Sequence, residues 1–373
     1  MCDGANWAKE TVVKIEEKMK EVVKRSCHKI PYTTTDGIHD DWTEKNICWW
    51  TNGFWGGMMW QMYHLTGDES YRKAAIEVEE KLDANLLNHG GMDHDSGFKW
   101  LPTSGANYRI TGSKEAYNRT LLAADNLAGR INLAGGFIRA WNDADDGSKA
   151  GWAIIDCMMN LPLLYWASEQ TKDPRYEQIA KLHAKTVMEN FIRQDGSVHH
   201  IVEFHPVTGE FITAHGGQGI EQGSSWTRGQ AWAIYGFVLS NIHTKDAVYL
   251  ENAGKVTDYF IKNMRENGAV PVDFKQPESC PWEDSTAAAI AACGMLEMAR
   301  LMGDEGKKYY DAALKLLHFL VENRCNWAKE TDHIVEKCTA AYHDKEHEFS
   351  IIYGDYFLIE AMLKLTGQEL FIW

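Results

Sequence analysis

Three features of this 373-residue sequence predict an all-α fold in which six helical hairpins close into an (α/α)6 toroid, or barrel. A short turn pattern recurs six times along the chain. The segments before each copy are apolar all round, and those after it carry a single apolar stripe. Proline is sparse at 8 residues, which suits long helices because proline lacks the backbone donor and clashes inside a helix.

The turn pattern reads Leu65-Thr66-Gly67-Asp68, Ile110-Thr111-Gly112-Ser113, Gln170-Thr171-Lys172-Asp173, His243-Thr244-Lys245-Asp246, Leu301-Met302-Gly303-Asp304 and Leu365-Thr366-Gly367-Gln368. In each copy Gly or Lys is expected to end one helix in the left-handed conformation, and Asp or Ser to cap the next. Tyrosine follows at 71, 117, 176, 249 and 309. Before the turns, the stretches 152–167, 231–239 and 287–293 are apolar or small on every side, as a buried helix would be. After them, Tyr249, Ala253, Val256, Phe260 and Met264 recur at steps of three and four, as in a helix with one dry face. Six of each kind predict an inner ring wrapped by an outer ring, in a single domain over residues 1–373. The sixth copy leaves no room for a following outer helix. The helical pattern from Trp7 to Arg25 is expected to take that place and close the ring; the alternative is an open superhelix of the same hairpins.

Between the hairpins run long links, roughly His28 to Trp50, His89 to Arg109, Asn132 to Ile155, Asp195 to Thr227, Val270 to Ser285 and Asp332 to Tyr353. Links of this length in a compact fold are functional or disordered, and these are too aromatic for disorder. Nine of the 15 tryptophans lie in them or at their edges, at 42, 49, 50, 55, 100, 141, 152, 226 and 282. Topology gathers the links on one face of the ring. Indoles beside carboxylates suit a sugar, whose C–H faces stack and whose hydroxyls bond to acids; alternatively the indoles fill the wide centre of the toroid.

The formal net charge is −15, from 38 Lys plus Arg against 53 Asp plus Glu, which argues against nucleic acid or an anionic membrane surface as partner. No run approaches eighteen apolar residues, and the first residues lack the basic and apolar regions of a signal peptide, so a cytoplasmic protein is expected. The 8 cysteines contain no C-x-x-C pair, hence no zinc ribbon or redox dithiol, and read as small apolar fillers.

Asp156 is the most informative polar residue. In its apolar surroundings a carboxyl is desolvated and its pKa rises, as a general acid near neutral pH requires; the alternative is a structural carboxylate. Asn160, four residues on, is expected on the same helix face. His94-Asp95-Ser96-Gly97-Phe98 lies near the start of an inner helix, with Asp93 beside it and capping as the alternative role. Asp143, Asp145 and Asp146 around Trp141 lack the regular spacing of a calcium loop. Arg228, in Ser225-Trp226-Thr227-Arg228-Gly229-Gln230-Ala231-Trp232, could grip a substrate carboxylate with two parallel bonds or form a salt bridge between helices. His199, His200 and His205 fall in an expected hairpin over 197–211, without the spacing of a helical zinc site. No G-x-S-x-G elbow, P-loop or dinucleotide fingerprint is present.

The His94–Phe98 segment, the Asp156/Asn160 pair and the Ser-x-Trp-x-Arg-Gly-Gln-Ala-Trp run at 224–232 together resemble the unsaturated glucuronyl hydrolases, family 88 of the glycoside hydrolases, over essentially the whole chain. The resemblance implies a six-hairpin α/α barrel. It also implies hydration of the C4=C5 double bond of an unsaturated uronic acid at the non-reducing end of lyase-generated oligosaccharides. By the same resemblance Asp156 protonates C4 and then activates the water adding at C5, while Asp95 holds ring hydroxyls. His94, His200, Gln218 and Arg228 line the site, and Trp49, Trp141 and Trp232 form its aromatic walls. Neither metal nor organic cofactor is implied. The last link, His347-Glu348-Phe349-Ser350-Ile351-Ile352-Tyr353, lacks the lysine of members that prefer sulfated substrates. Competing readings are a rhamnogalacturonyl hydrolase on pectin fragments, a sugar epimerase with paired histidines, a non-catalytic carbohydrate-binding toroid, and an ordinary inverting glycosidase with two separated carboxylates.

Overall fold

The computed structural model describes residues 2–142 and 148–373; Asp143, Asp145 and Asp146 lie outside the described residues. Six inner helical segments alternate with outer helices. The inner set comprises Phe54–Thr66, a run over 96–111, Leu161–Thr171, Thr227–Thr244, Ser285–Met302 and Ile352–Thr366. The outer set comprises Glu69–Lys81, Lys114–Gly129, Pro174–Asn190, Ala247–Asn263 and Lys307–Asn323. The N-terminal helix Cys2–Ser26 packs beside the last inner helix and between the outer helices Lys307–Asn323 and Glu69–Lys81. It thereby completes the outer ring, with Trp7 stacked on His318 at 3.8 Å. Its buried Lys18 ammonium reaches the Asn326 and Ala328 carbonyls at 2.6 and 3.0 Å, and Arg25 pairs with Asp332 at 2.7 Å. The (α/α)6 barrel is thus closed, not an open superhelix. The stretch 285–323, apolar and long enough to cross a membrane, breaks at Gly303 into an inner and an outer helix, and its apolar part is mostly buried in the barrel.

The tight turns follow from their sequence. Gly67, Gly112, Lys172, Lys245 and Gly367 all take left-handed conformations, with φ between 60° and 72°. Asp68, Ser113, Asp173 and Asp246 then accept the N–H groups of Ser70, Ala116, Arg175 and Val248. The preceding threonines add a bond of their own: Thr66, Thr111, Thr171 and Thr244 accept the cap residue's N–H at 3.1–3.2 Å. The fifth turn departs from this pattern. It has no threonine, Asp304 caps nothing, and its longer spacing to Tyr309 is taken up by the 3₁₀ turn Gly303–Gly306.

Two inner segments differ from their expected form. The link expected to run to Arg109 ends at Asp95, because Pro102 and Gly105 are absorbed in a wide π turn, Leu101–Gly105, inside a helical run. Thr103 and Ser104 hydroxyls bond back to the Lys99 and Trp100 carbonyls at 2.6 and 3.2 Å in this stretch. The expected helix 152–167 begins only at Leu161, with Pro162 in its first turn. Before it, Trp152–Ile154 is a strand and Ile155–Met159 a 3₁₀ turn. A short apolar run does not distinguish strand from buried helix, and here Trp152–Ile154 pairs with Ile201–Phe204, which in turn pairs with Phe211–His215.

After the last inner helix the chain folds under the barrel. Trp373 is fully buried, stacked on Phe357 at 6.0 Å and edge-on to Phe98 at 6.2 Å, with its indole N–H on Glu360 at 2.8 Å. Trp373→Ala is expected to cost about 3–5 kcal/mol through the cavity it leaves, read as a lower urea midpoint; an unchanged midpoint would show that the barrel base does not need this plug.

Candidate active site

The tight turns occupy one end of the barrel, so the long links and the inner-helix N-termini share the other. Asp95 immediately precedes the inner run 96–111, and Asp156 lies in the 3₁₀ turn ahead of Leu161–Thr171. Arg228 is in the first turn of Thr227–Thr244, Asp284 caps Ser285–Met302, and Tyr353 is in the first turn of Ile352–Thr366. A 3₁₀ turn, Trp50–Gly53, leads into Phe54–Thr66. The sequence thus delivers one chemically distinctive residue per hairpin to a common place.

Asp95 and Asp156 are joined through one buried side chain. The Asn160 Oδ1 accepts the Phe98 N–H at 2.8 Å, which fixes the carboxamide's orientation because a backbone N–H can only donate. Its Nδ2 donates to Asp95 Oδ1 and to the Asp156 carbonyl, each at 3.3 Å. Gly97 makes the approach possible: a Cβ there would sit 2.6 Å from Asn160 Cα. Burial pushes the Asp156 carboxyl up to about 7, against the pull of Arg228. Asp156 keeps 15 % of its side-chain surface, and its Oδ1 has no hydrogen-bond partner. Burial also pushes Asp95 well above the usual carboxylate range, followed by the charges of Asp93 and Asp156.

His200 faces Asp156 with Nε2 3.8 Å from Oδ1. The Gln218 N–H donates to its Nδ1 at 2.9 Å, so the neutral ring carries its proton on Nε2, toward the carboxyl. Burial and the Arg228 charge lower its pKa to about 3, which keeps it neutral. The strand pairing carries this histidine to the acid, since the Ile155 N–H bonds to the His200 carbonyl at 3.0 Å. His94, 2 % exposed, approaches Asp95 at 3.4 Å and is held near pKa 4 by burial.

Arg228 is buried, and part of its guanidinium is already committed. Its guanidinium bonds to Asp284 at 2.5 Å and to the Thr339 carbonyl at 2.6 Å, and also to the Ala340 carbonyl. It lies over Trp226 at 4.4 Å and Tyr353 at 5.5 Å. Nη1 and one Nη2–H thus hold the cap of the next inner helix and the last link, Nε has no partner among the described residues, and the Arg228 charge is felt by Asp156. The Gln218 carboxamide is likewise committed to the Ala340 carbonyl at 2.8 Å, although its backbone orients His200.

The indoles divide by depth. Trp49, half-buried, packs on Trp42 at 5.0 Å and on Tyr32 at 5.8 Å. Trp141, also half-buried, lies 6.1 Å from Trp152 beneath Lys149. Trp232 is corrected from wall to floor, since it is fully buried against Phe98, Trp50 and Phe357. Trp55 and Trp100 are core as well. The hairpin expected over 197–211 forms over 201–215, with Ile201–Phe204 paired to Phe211–His215. Sequence reasoning missed Asp284, Tyr353 and Lys99. Asp284 reads only as a helix cap, and nothing local marks it as the partner of Arg228. The Lys99 side chain is wholly buried, 3.4 Å from Asp93. Among the described residues no group of three His, Cys, Asp or Glu side chains is placed to hold a metal ion.

Comparison with known proteins shows the family. The profile of Glycosyl Hydrolase Family 88 matches residues 22–362. The chain is 37 % identical over 326 residues to the unsaturated glucuronyl hydrolase of Bacillus sp. (strain GL1), covering 85 % of this chain and 86 % of that one. It is 32 % identical over 377 residues to the unsaturated chondroitin disaccharide hydrolase of Streptococcus agalactiae serotype III, covering 97 % and 94 %. The crystal structure of the unsaturated glucuronyl hydrolase from Streptococcus agalactiae superposes with a TM-score of 0.87 at 31 % identity, covering 97 % of this chain and 94 % of that one. One barrel, one pair of buried aspartates and a match along nearly the whole chain lead to one conclusion: the protein is a glycoside hydrolase and belongs to family 88.

Proposed function

We propose that this protein releases the 4,5-unsaturated glucuronic acid from the non-reducing end of glycosaminoglycan-type oligosaccharides by hydrating the C4=C5 vinyl ether. The observation that carries the mechanism is Asp156: a desolvated carboxyl, poised near neutrality, with one oxygen unpartnered beside the His200 Nε2–H. Protonated Asp156 gives its proton to C4, leaving an oxocarbenium-like cation across C5 and the ring oxygen. Water adds at C5, and the Asp156 carboxylate takes the proton that water loses. The resulting hemiketal opens at the bond from C5 to the ring oxygen, C1 becomes a hemiacetal, and the remaining saccharide leaves as its alcohol. Asp95 receives ring hydroxyls. Displacement at the anomeric carbon would instead need one carboxylate ionised beside a protonated partner, whereas burial raises both aspartates here.

The substrate is an anion and the protein carries −15. Attraction must therefore be local: the Arg228 charge and the inner-helix N-termini, whose positive dipole ends point toward the site. Relatives are described as acting on chondroitin disaccharide, and a structural neighbour at 28 % identity as specific for heparin, so the sulfation pattern accepted here is an open choice within one class. The cytoplasm is the proposed compartment, supported by seven unpaired cysteines among the described residues.

The reaction is read directly from loss of the ultraviolet band of the conjugated double bond. Wild-type protein is expected to bleach an unsaturated chondroitin or hyaluronan disaccharide, and Asp156→Asn to slow this at least about a thousandfold, the scale of losing a group that both gives and takes the proton. A constant band on glycosaminoglycan disaccharides with bleaching of pectin-derived ones would transfer the assignment to rhamnogalacturonyl substrates. Because Asp156 must start protonated, kcat/KM is expected to fall about tenfold per pH unit above about 7; a flat profile from pH 6 to 9 would exclude it as the acid.

The same carboxyl has a stability signature. Its folded-state pKa lies above the ordinary value of 3.8, so the folded protein holds a proton that the unfolded chain releases. That contribution is complete below about pH 4 and is lost as pH rises through about 7. Asp156→Asn is therefore expected to raise Tm by a few degrees at pH 8, with the gap narrowing toward pH 5. Calorimetry at both values checks this, and an equal gap at both would contradict it.

A further inference from the structure

We propose that Asn160 is a positioning residue for catalysis: its carboxamide locks the turn bearing Asp156 to the segment bearing Asp95 and keeps a donor on the Asp95 carboxyl. The inference deepens the function proposed above and rests on it for the meaning of the acid pair. Three hydrogen bonds leave Asn160 no freedom. The Phe98 N–H fixes Oδ1 at 2.8 Å, and Nδ2 is then shared between Asp95 Oδ1 and the Asp156 carbonyl at 3.3 Å each. The side chain is fully buried, and the backbone at Gly97 lies too close to it for any Cβ. One amide plane spans the Asp95 carboxylate and the main chain of Asp156.

Its energetic role follows from what it touches. A buried Asp95 bonded to an N–H is more readily ionised than one without it, so Asn160 opposes the upward push that burial gives Asp95. The charge of Asp156 in turn adds to that push on Asp95, so the two carboxyls share one electrostatic environment. The other charged or titratable groups facing the pair are Asp93, His94 and Lys99 on the Asp95 segment, Arg130 at the end of the neighbouring outer helix, Cys157, His200 on the sheet, and Arg228. None of these bonds to both aspartate segments; Asn160 does.

Two substitutions separate this role from space filling. Asn160→Asp keeps the size and the acceptor for the Phe98 N–H but replaces the donor with a further carboxyl, whereas Asn160→Ala removes the bridge. Both are expected to lower kcat about a hundredfold while KM stays within about threefold, the pattern of lost transition-state stabilisation. The alkaline limb of the kcat profile should distinguish the two variants. An added negative charge beside the pair moves it up in Asn160→Asp. Asn160→Ala adds no charge, so kcat falls while the limb stays near its wild-type position. A folded Asn160→Asp with its limb at the wild-type pH, or a folded Asn160→Ala with wild-type kcat, would overturn the proposal. A substrate-free measurement covers the case in which a variant does not fold. In selectively ¹⁵N-labelled wild-type protein the Asn160 carboxamide signals should shift with pH through the range in which activity falls, and signals independent of pH would equally overturn it. Because that titration uses no substrate, it stands or falls separately from the assay of the wild-type reaction.

Discussion

The structure depends on confining its tight turns to one end. Five of the six inner helices stop at a left-handed residue, and four of the six turns then use the same Thr and Asp or Ser pair to satisfy the N–H groups that start the outer helix. A turn satisfied within a few residues needs no help from elsewhere, so that end of the barrel can be compact. All the length left over goes to the opposite end, where the backbone donors of the inner-helix starts are met by side chains arriving from other hairpins. The Asn160 bond to the Phe98 N–H is one such case, and in the last link the Ile334 and Val335 N–H groups are met in the same way by Asp355 of the following inner helix. The site is built where local satisfaction stops.

Burial does two opposing things at that end. It neutralises groups that water would ionise: Asp156 rises to about 7, while His200 and His94 fall to about 3 and 4. It also makes every remaining charge consequential. Arg228 stays charged because Asp284 and two carbonyls surround it, and from there it restrains the rise at Asp156. A proton donor between a neutral imidazole and a clamped guanidinium is held by solid partners, with no mobile counter-ion required. Removing one partner of such a buried ion pair costs more than the pair gains, so the Arg228 cluster also holds the 339–342 link in place.

The aromatic residues illustrate what composition can and cannot tell. Tryptophan was expected to line the open face, and Trp49 and Trp141 do lie half-exposed there. Trp55, Trp100 and Trp232 instead fill the centre, where Phe98, Phe357 and Trp373 meet them. A ring of six inner helices encloses more volume than aliphatic side chains fill, so large flat side chains are needed at depth as well as at the mouth. Position in a link does not separate the two roles, because the links begin at the mouth and end inside.

Sequence by itself determined the six hairpins, the left-handed turn residues, the closing role of the first helix and the suspicion attached to Asp156. Those are local facts: a cap, a periodicity, or a carboxyl in an apolar run is settled within one or two helical turns. Only the tertiary structure decided that 152–154 is a strand, since its register depends on partners about fifty residues away. It also decided that Arg228 meets Asp284 and the 339–340 carbonyls, and that one asparagine ties the Asp95 carboxylate to the Asp156 main chain. Hydrogen-bond partners of buried polar groups are chosen by geometry across the barrel, and nothing within reach along the chain encodes which donor will meet which acceptor.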